Sequence, residues 1–238
     1  MEKILVTGGA GYVGSGLLRE LLKEDYNVTC VDNLMFGGES LLDIWHNKNF
    51  TFIKCDINDW NAFSNVLQTH KFDSIIHLAA IVGDPACRNQ SELAMKTNWN
   101  STKWLLDKSI EIGIKKFIFA SSCSIYGSAG NKKKKKNNSI QPLTDYAKSK
   151  VKSERLLKKI SSKSFQVISL RFATAAGFSP KLRLDLVFNE WNKLETDGIK
   201  NRMKQKFIHS MNNINEQVKI LNKHKKIHLL LHPFSWSR

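Results

Sequence analysis

The sequence predicts an α/β fold, a doubly wound parallel sheet, on three observations. Short apolar runs alternate with amphipathic stretches. A glycine cluster, Thr7-Gly8-Gly9-Ala10-Gly11-Tyr12-Val13-Gly14, joins the first apolar run to the first amphipathic one. The 238 residues, 42% of them hydrophobic, suffice for one domain with a real core and rule out global disorder.

In chain order, Ile4–Thr7 reads as the first strand, Gly14–Glu24 as the first helix and Asn27–Val31 as the second strand. Phe50–Lys54 and Ser74–Leu78 read as the third and fourth strands. Glu92–Ile112 reads as one long helix, Lys116–Ala120 as the fifth strand, Asp145–Ile160 as a helix and Phe165–Arg171 as the sixth strand. Strands that alternate with helices pair in parallel through right-handed crossovers. Such a sheet binds ligands at the carboxyl ends of its strands, where the strand order reverses. Two regions break the pattern. Residues 131–138 (NKKKKKNN) form a self-repelling, low-complexity run and read as an exposed loop. Beyond Trp191, the positions Ile199, Met203, Phe207, Met211, Ile214, Val218 and Leu221 recur at helical spacing, and a short apolar run, Ile227–Leu231, follows. The expected division is a first domain over residues 1–178 and a mostly helical tail over 179–238.

Met1-Glu2-Lys3 runs directly into the first strand, so no signal peptide is expected, and no apolar run approaches the ~20 residues of a membrane helix. The four cysteines are scattered without metal-ligand spacing, so no metal is expected and the compartment reads as cytoplasmic. The net charge of +16 is lopsided: residues 1–128 carry −2 and residues 129–238 carry +18. A basic half suits nucleic acid, acidic lipid or plain solvation. Solvation is the expectation, since no recognition fold accompanies the charge.

The glycine cluster lies between a strand and a helix, where a side chain would block both the tight turn and the approach of a pyrophosphate to the backbone. The helix N-terminus then offers N–H groups and a positive dipole end. Gly8, Gly11, Tyr12, Val13 and Gly14 are the candidate phosphate-binding residues. Asp32 ends the second strand, the position from which a carboxylate accepts from a ribose 2′-hydroxyl and repels a 2′-phosphate. That favours NAD over NADP, with Asn33 beside it; a helix cap is the alternative role for Asp32. Asp56 and Ile57 follow the third strand and would face the adenine. Leu78, Ala79 and Ala80 follow the fourth, and their small side chains would let the backbone lie against the cofactor.

The fifth strand runs into residues 121–127 (SSCSIYG), and residues 146–150 (YAKSK) follow downstream. Tyr146 and Lys150, four apart on a helix, share a face. A phenol is a poor base at neutral pH, with a pKa near ~10. A neighbouring ammonium and a positive nicotinamide ring would both favour the phenolate. A serine hydroxyl at the end of the fifth strand would hold and orient the substrate oxygen.

Residues 7–15 (TGGAGYVGS), 31–33 (VDN), 55–59 (CDIND), 77–80 (HLAA), 121–127 (SSCSIYG) and 146–150 (YAKSK) occur in the order and spacing of the extended short-chain dehydrogenase/reductases. Over residues 1 to about 190 the chain most resembles the NAD-dependent epimerase/dehydratase family, which includes UDP-glucose 4-epimerase. The resemblance implies a Rossmann fold, with Ser122 as the catalytic hydroxyl, Tyr146 as the base and Lys150 as its partner, the last two also touching the cofactor. It implies a cofactor role for Asn98, which matches the Asn of the family's NxxGT motif although Ser101 replaces the glycine. It makes Thr174, after the sixth strand, a substrate-contact candidate along with Ser122. The departures narrow the reaction. The family's 4,6-dehydratases carry an Asp-Glu pair where this chain has Cys123 and Ser124. Its epimerase-reductases place a cysteine where this chain has Ser124. The family's C-terminal Arg-Asp…His-Val…Asp segment is not found after Trp191; truncation, a shifted reading frame or a divergent replacement would each produce such a tail.

The expected function is NAD-dependent epimerisation of a nucleotide sugar through a transient keto intermediate. A one-way sugar dehydrogenase or reductase, and an NAD-binding protein impaired in catalysis, stay open as alternatives. The expected partner is the small nucleotide-sugar substrate. Nucleic acid and membrane are not expected, and a homodimer is allowed for.

Overall fold

The computed structural model describes residues 1–127, 139–173, 175, 179–183 and 229–231. Seven strands form one parallel sheet in the order β3-β2-β1-β4-β5-β6-β7. They are β1 (Lys3–Thr7), β2 (Asn27–Asp32), β3 (Phe50–Lys54), β4 (Ser74–His77), β5 (Lys116–Ser122), β6 (Gln166–Phe172) and β7 (Leu229–Leu231). β7 falls within the apolar run at 227–231 and pairs with Leu170–Phe172 of β6. The tail helix expected over 199–221 lies outside the described residues. The order reverses between β1 and β4, so the ligand crevice of this architecture opens at their carboxyl ends.

Side-chain alternation makes both faces of the sheet apolar, as a parallel sheet covered on both sides requires. Ile4, Val6, Ile76 and Ile118 face one way and pack with Leu17, Leu18 and Leu21 of helix α1 (Tyr12–Lys23). Leu5, Ile75, Phe117 and Phe119 face the other way. There they meet Phe63 of α2 (Trp60–Thr69), Leu105 and Leu106 of α5 (Thr102–Glu111) and Leu157 of α6 (Asp145–Ile160). The helix starts follow side-chain chemistry. The Asp59 carboxylate accepts from Ala62 N at 3.0 Å to cap α2, and the Thr144 hydroxyl accepts from Ala147 N at 3.2 Å to cap α6.

The long helix expected over Glu92–Ile112 is broken into parts. Short helices α3 (Asp84–Asn89) and α4 (Ser91–Met95) lead into a wide π-helical turn, Lys96–Ser101, and then into α5. The wide turn carries polar side chains that point inward. The Asn98 amide clamps the main chain of Ile81 (Ile81 N to Oδ1 2.8 Å, Nδ2 to Ile81 O 2.9 Å). Thr97 and Ser101 both bond Asn58, in the loop after β3, at 2.9 and 2.8 Å. Such turns recur where a helix must re-aim side chains. Here it ties the loops after β3 and β4 to one helix.

Candidate active site

The glycine loop is shaped by contacts that leave no room for a side chain. Gly8 sits at φ +74°, and a Cβ there would lie 2.6 Å from Ala79 N. A Cβ on Gly14 would lie 2.4 Å from the Gly8 carbonyl. The first glycine therefore lets the loop abut the segment after β4, and Gly14 lets α1 close onto the loop. No side chain caps α1 at Gly11 and its first turn holds no acidic residue. A pyrophosphate has the chemistry that matches such a helix end. Tyr12 is buried and Val13 half-buried in that first turn.

Asp32 is tied to the same loop. One carboxylate oxygen accepts from Ala10 N at 3.0 Å and the other from Leu34 N at 2.8 Å. Burial pushes the carboxyl up, and the two N–H donors pull it back down. A carboxylate has about four acceptor sites, so a ribose hydroxyl still finds one. The Asp56 carboxylate accepts from Asn33 Nδ2 at 3.2 Å and from Asn58 N at 2.8 Å. Asn33 and Asp56 thus join the loops after β2 and β3, with Ile57 buried behind them. Leu78 to Ala80 leave β4 beside Gly8, where Leu78 N donates to Thr7 O at 3.1 Å.

Ser122 ends β5 and Tyr146 lies in the first turn of α6, and the Ser122 hydroxyl stands near enough to the phenol to favour its ionised form. The Ser122 oxygen accepts from Ser124 N at 3.2 Å and from Ser124 Oγ at 2.9 Å. With its lone pairs occupied, Ser122 is left to donate toward Tyr146 or a substrate oxygen. Sequence reading passed over Ser124 as unfit for acid–base work; its service is to orient Ser122. Lys150 is 3% exposed and donates to Ala120 O at 2.8 Å. Its ammonium stands 5.6 Å from the centre of the Tyr146 ring and 4.7 Å from that of Phe119.

The sequence expectation of a phenol drawn toward the working range is not met by the chain alone. Burial pushes Tyr146 up to about 12, against downward pulls from Ser122 and the Arg183 cation. Burial likewise lowers Lys150 to about 8, against upward pulls from Cys87 and Glu154. A second positive charge is needed before the phenol ionises readily. A nicotinamide ring supplies one, so the site's electrostatics fit a cationic cofactor.

The remaining candidates have defined places. Asn98 Oδ1 accepts from Ile81 N and its Nδ2 donates to Ile81 O, so the side chain shapes the segment after β4, with a second amide hydrogen and a second lone pair left for a cofactor. Thr174 lies outside the described residues. A cleft of about 230 Å³ beside Tyr146 is lined by Cys87, Met95, Asn98, Asp145 and Ser149 among others.

Sequence reading also missed two buried networks, because their members are far apart in the chain. His77 is 1% exposed, with Nδ1 2.7 Å from Thr7 Oγ1 and Nε2 2.9 Å from Thr102 Oγ1. Burial, aided by the Lys150 charge, lowers it to about 3, so it is neutral. Thr102 donates onward to Asn98 O at 3.1 Å, which leaves Nε2 to carry the imidazole proton and Nδ1 to accept from Thr7. In the second network Glu154 and Arg171 join Ser121 and Tyr126 beneath the end of β5. Farther along the chain, Ser179 donates to Tyr12 O at 2.6 Å and Lys181 bonds Phe36 O, so residues 179–181 cross from the start of α1 to the loop after β2.

Comparison with known proteins places this geometry in context. Residues 4–191 match the model of the NAD dependent epimerase/dehydratase family. UDP-glucose 4-epimerase of Drosophila melanogaster is 34% identical over 191 residues, which are 73% of this chain and 53% of that protein. The UDP-glucose 4-epimerase of Thermotoga maritima, solved with UDP-glucose, is 32% identical with a TM-score of 0.67 over 74% of this chain and 56% of that one. The UDP-glucuronic acid 4-epimerase of Bacillus cereus, solved with NAD, is 30% identical with a TM-score of 0.67 over 77% and 60%. The chain spans about half the length of the curated relatives it matches.

Proposed function

Because the chain belongs to the NAD-dependent epimerase/dehydratase family, we propose that it acts as an NAD-dependent epimerase of a nucleotide sugar, inverting one carbinol centre through a transient keto sugar. The observation that carries the reading is the approach of the Ser122 hydroxyl and the Lys150 ammonium to Tyr146, at the carboxyl end of the sheet that also carries the glycine loop. Gly8, Gly14 and the start of α1 would hold the dinucleotide's phosphates, and Asp32 its adenosine ribose. NAD supplies a hydride acceptor that can return the hydride. Tyr146 takes the proton from the sugar hydroxyl. Ser122 donates to the same oxygen and fixes its direction. Lys150 keeps positive charge beside the phenolate that does this work.

Dehydration is disfavoured by the side chains next to Ser122. Cys123, whose side chain is exposed, offers no carboxylate there, and Ser124 is committed to Ser122. The two solved relatives bear the names of different sugars, UDP-glucose and UDP-glucuronic acid. The test is therefore a panel of UDP-, GDP- and dTDP-sugars incubated with the protein and NAD. A 4-epimer formed without accumulating NADH supports the reading. Net NADH production identifies a dehydrogenase instead, and NAD binding without any product identifies a cofactor-binding protein.

A further inference from the structure

Beneath the reacting groups lies an ion pair to which the reaction just described gives no part. Glu154 stands one helical turn beyond Lys150 and two beyond Tyr146, on the same face of α6. Its carboxylate accepts from Arg171 Nη2 at 2.6 Å and Nε at 2.9 Å, and from the Ser121 hydroxyl at 2.5 Å. Arg171 also donates to the Tyr126 hydroxyl at 2.6 Å. The side chains of Glu154 and Arg171 are 6% and 9% exposed. Ser121 immediately precedes Ser122, and Tyr126 ends the short 3₁₀ turn, Cys123–Tyr126, that carries Ser124. The pair therefore holds the side chains of Ser121 and Tyr126, on either side of the residue whose hydroxyl bears on Tyr146. A buried ion pair is weak evidence of stability, since replacing it with apolar groups is often neutral or better. Its placement is what argues for a task.

We propose that the Glu154–Arg171 pair is a positioning device for Ser122, Tyr146 and Lys150: it fixes the strand end that carries Ser122, and its carboxylate keeps Lys150 in the ammonium form. The groups facing Lys150 support the second half. Among the described residues these are Tyr146 and Glu154 from α6, Cys87 from α3, the neutral His77 from β4, and the Ala120 carbonyl and Phe119 ring from β5. Arg183 and Cys123 bear on Tyr146, and Arg171 of β6 stands behind Glu154. Glu154 is the one carboxylate among these groups, and Arg171 absorbs part of its charge. Burial lowers Lys150 to about 8, and Cys87 and Glu154 oppose that fall. The catalytic consequence rests on the function proposed above; the charge relation does not.

The test is NMR titration of the protein labelled with ¹³C at lysine Cε, with no substrate or turnover involved. One resonance should titrate at about 8 and be absent from Lys150→Met. Glu154→Gln keeps the shape and loses the charge, and should lower that midpoint by about one unit. Glu154→Asp keeps the charge and should leave the midpoint in place. Arg171→Gln frees the carboxylate and should move it up, so either charge-removing variant decides the matter if the other fails to fold. An unmoved midpoint in folded Glu154→Gln or Arg171→Gln, or equal shifts in Glu154→Gln and Glu154→Asp, would overturn the proposal. If the protein proves to have no epimerase activity while the midpoints move as stated, the charge relation stands and only the function fails.

Discussion

At the scale of the residue, Tyr146 and Ser122 stand side by side and are proposed to divide two tasks. Tyr146→Phe keeps the ring and removes the proton acceptor, so turnover should vanish while calorimetric NAD affinity stays within a few-fold. Ser122→Ala removes one oriented donor and should cost on the order of 10²-fold in kcat. Full activity in Tyr146→Phe would end the mechanism. Asp32 invites a second test. Its carboxylate is held by Ala10 N and Leu34 N in the orientation a ribose hydroxyl would meet. Asp32→Ala should weaken NAD and narrow its advantage over NADP in paired titrations. Tighter NADP binding by the unaltered protein would show that Asp32 has another role. The motif residues were legible in the sequence because their chemistry is local: a glycine that must turn, and a tyrosine and lysine four apart. Glu154 and Ser121 lie 33 positions apart, and Arg171 and Tyr126 lie 45 apart, so no local spacing announces their network.

At the scale of the element, helix α6 has the limits its pattern predicts, because its signals are self-contained: a Thr144 cap, Asp145 in the first turn, and Lys158 and Lys159 in the last. Of the six expected strands, Phe50–Lys54 has the observed limits and the other five differ by a residue or two at their ends. The π turn at Lys96–Ser101 was not legible. Its reason is tertiary, lying in the bonds of Asn98 to Ile81 and of Thr97 and Ser101 to Asn58. Asn98→Ala would strip Ile81 N of its side-chain partner in a buried place, while Ile81 O keeps the Cys87 thiol at 3.3 Å. The expected loss is about 1–3 kcal/mol by denaturant titration, the usual cost of one unsatisfied buried group. A loss below about 0.5 kcal/mol would mean that water replaces the amide, as surface substitutions commonly stay within that limit.

At the scale of the whole molecule, the residues proposed above for the cofactor and the reacting carbinol lie between Gly8 and Lys150, and none of those named is proposed to grip the far half of a nucleotide sugar. The 230 Å³ cleft beside Tyr146 falls below the roughly 300–1,000 Å³ of ordinary ligand pockets. Remote binding energy positions the reacting centre. A protein of these 238 residues should therefore bind NAD in calorimetry yet form 4-epimer slowly, and an ordinary Michaelis constant with brisk turnover would show that residues 179–238 complete the pocket. The buried His77 makes a separate statement about the fold. Its folded pKa is depressed to about 3 from 6.5, so its contribution is present above pH 6.5 and lost as pH falls toward 3. Between pH 6.5 and 5 the loss should be about 2 kcal/mol, before most carboxylates protonate. His77→Gln should flatten the fall of thermal midpoint across that interval; an equal fall in both proteins would place the acid sensitivity elsewhere.

The reversal of strand order between β1 and β4 has a thermodynamic consequence of its own. A dinucleotide bound over that seam would draw on both halves of the sheet, and so would favour the state in which the two halves are joined. Any ligand that binds only the folded chain adds about 2.7 kcal/mol at a hundredfold excess over its Kd. The melting temperature of this protein should thus report how much cofactor each preparation retains, rising with added NAD until the seam is saturated.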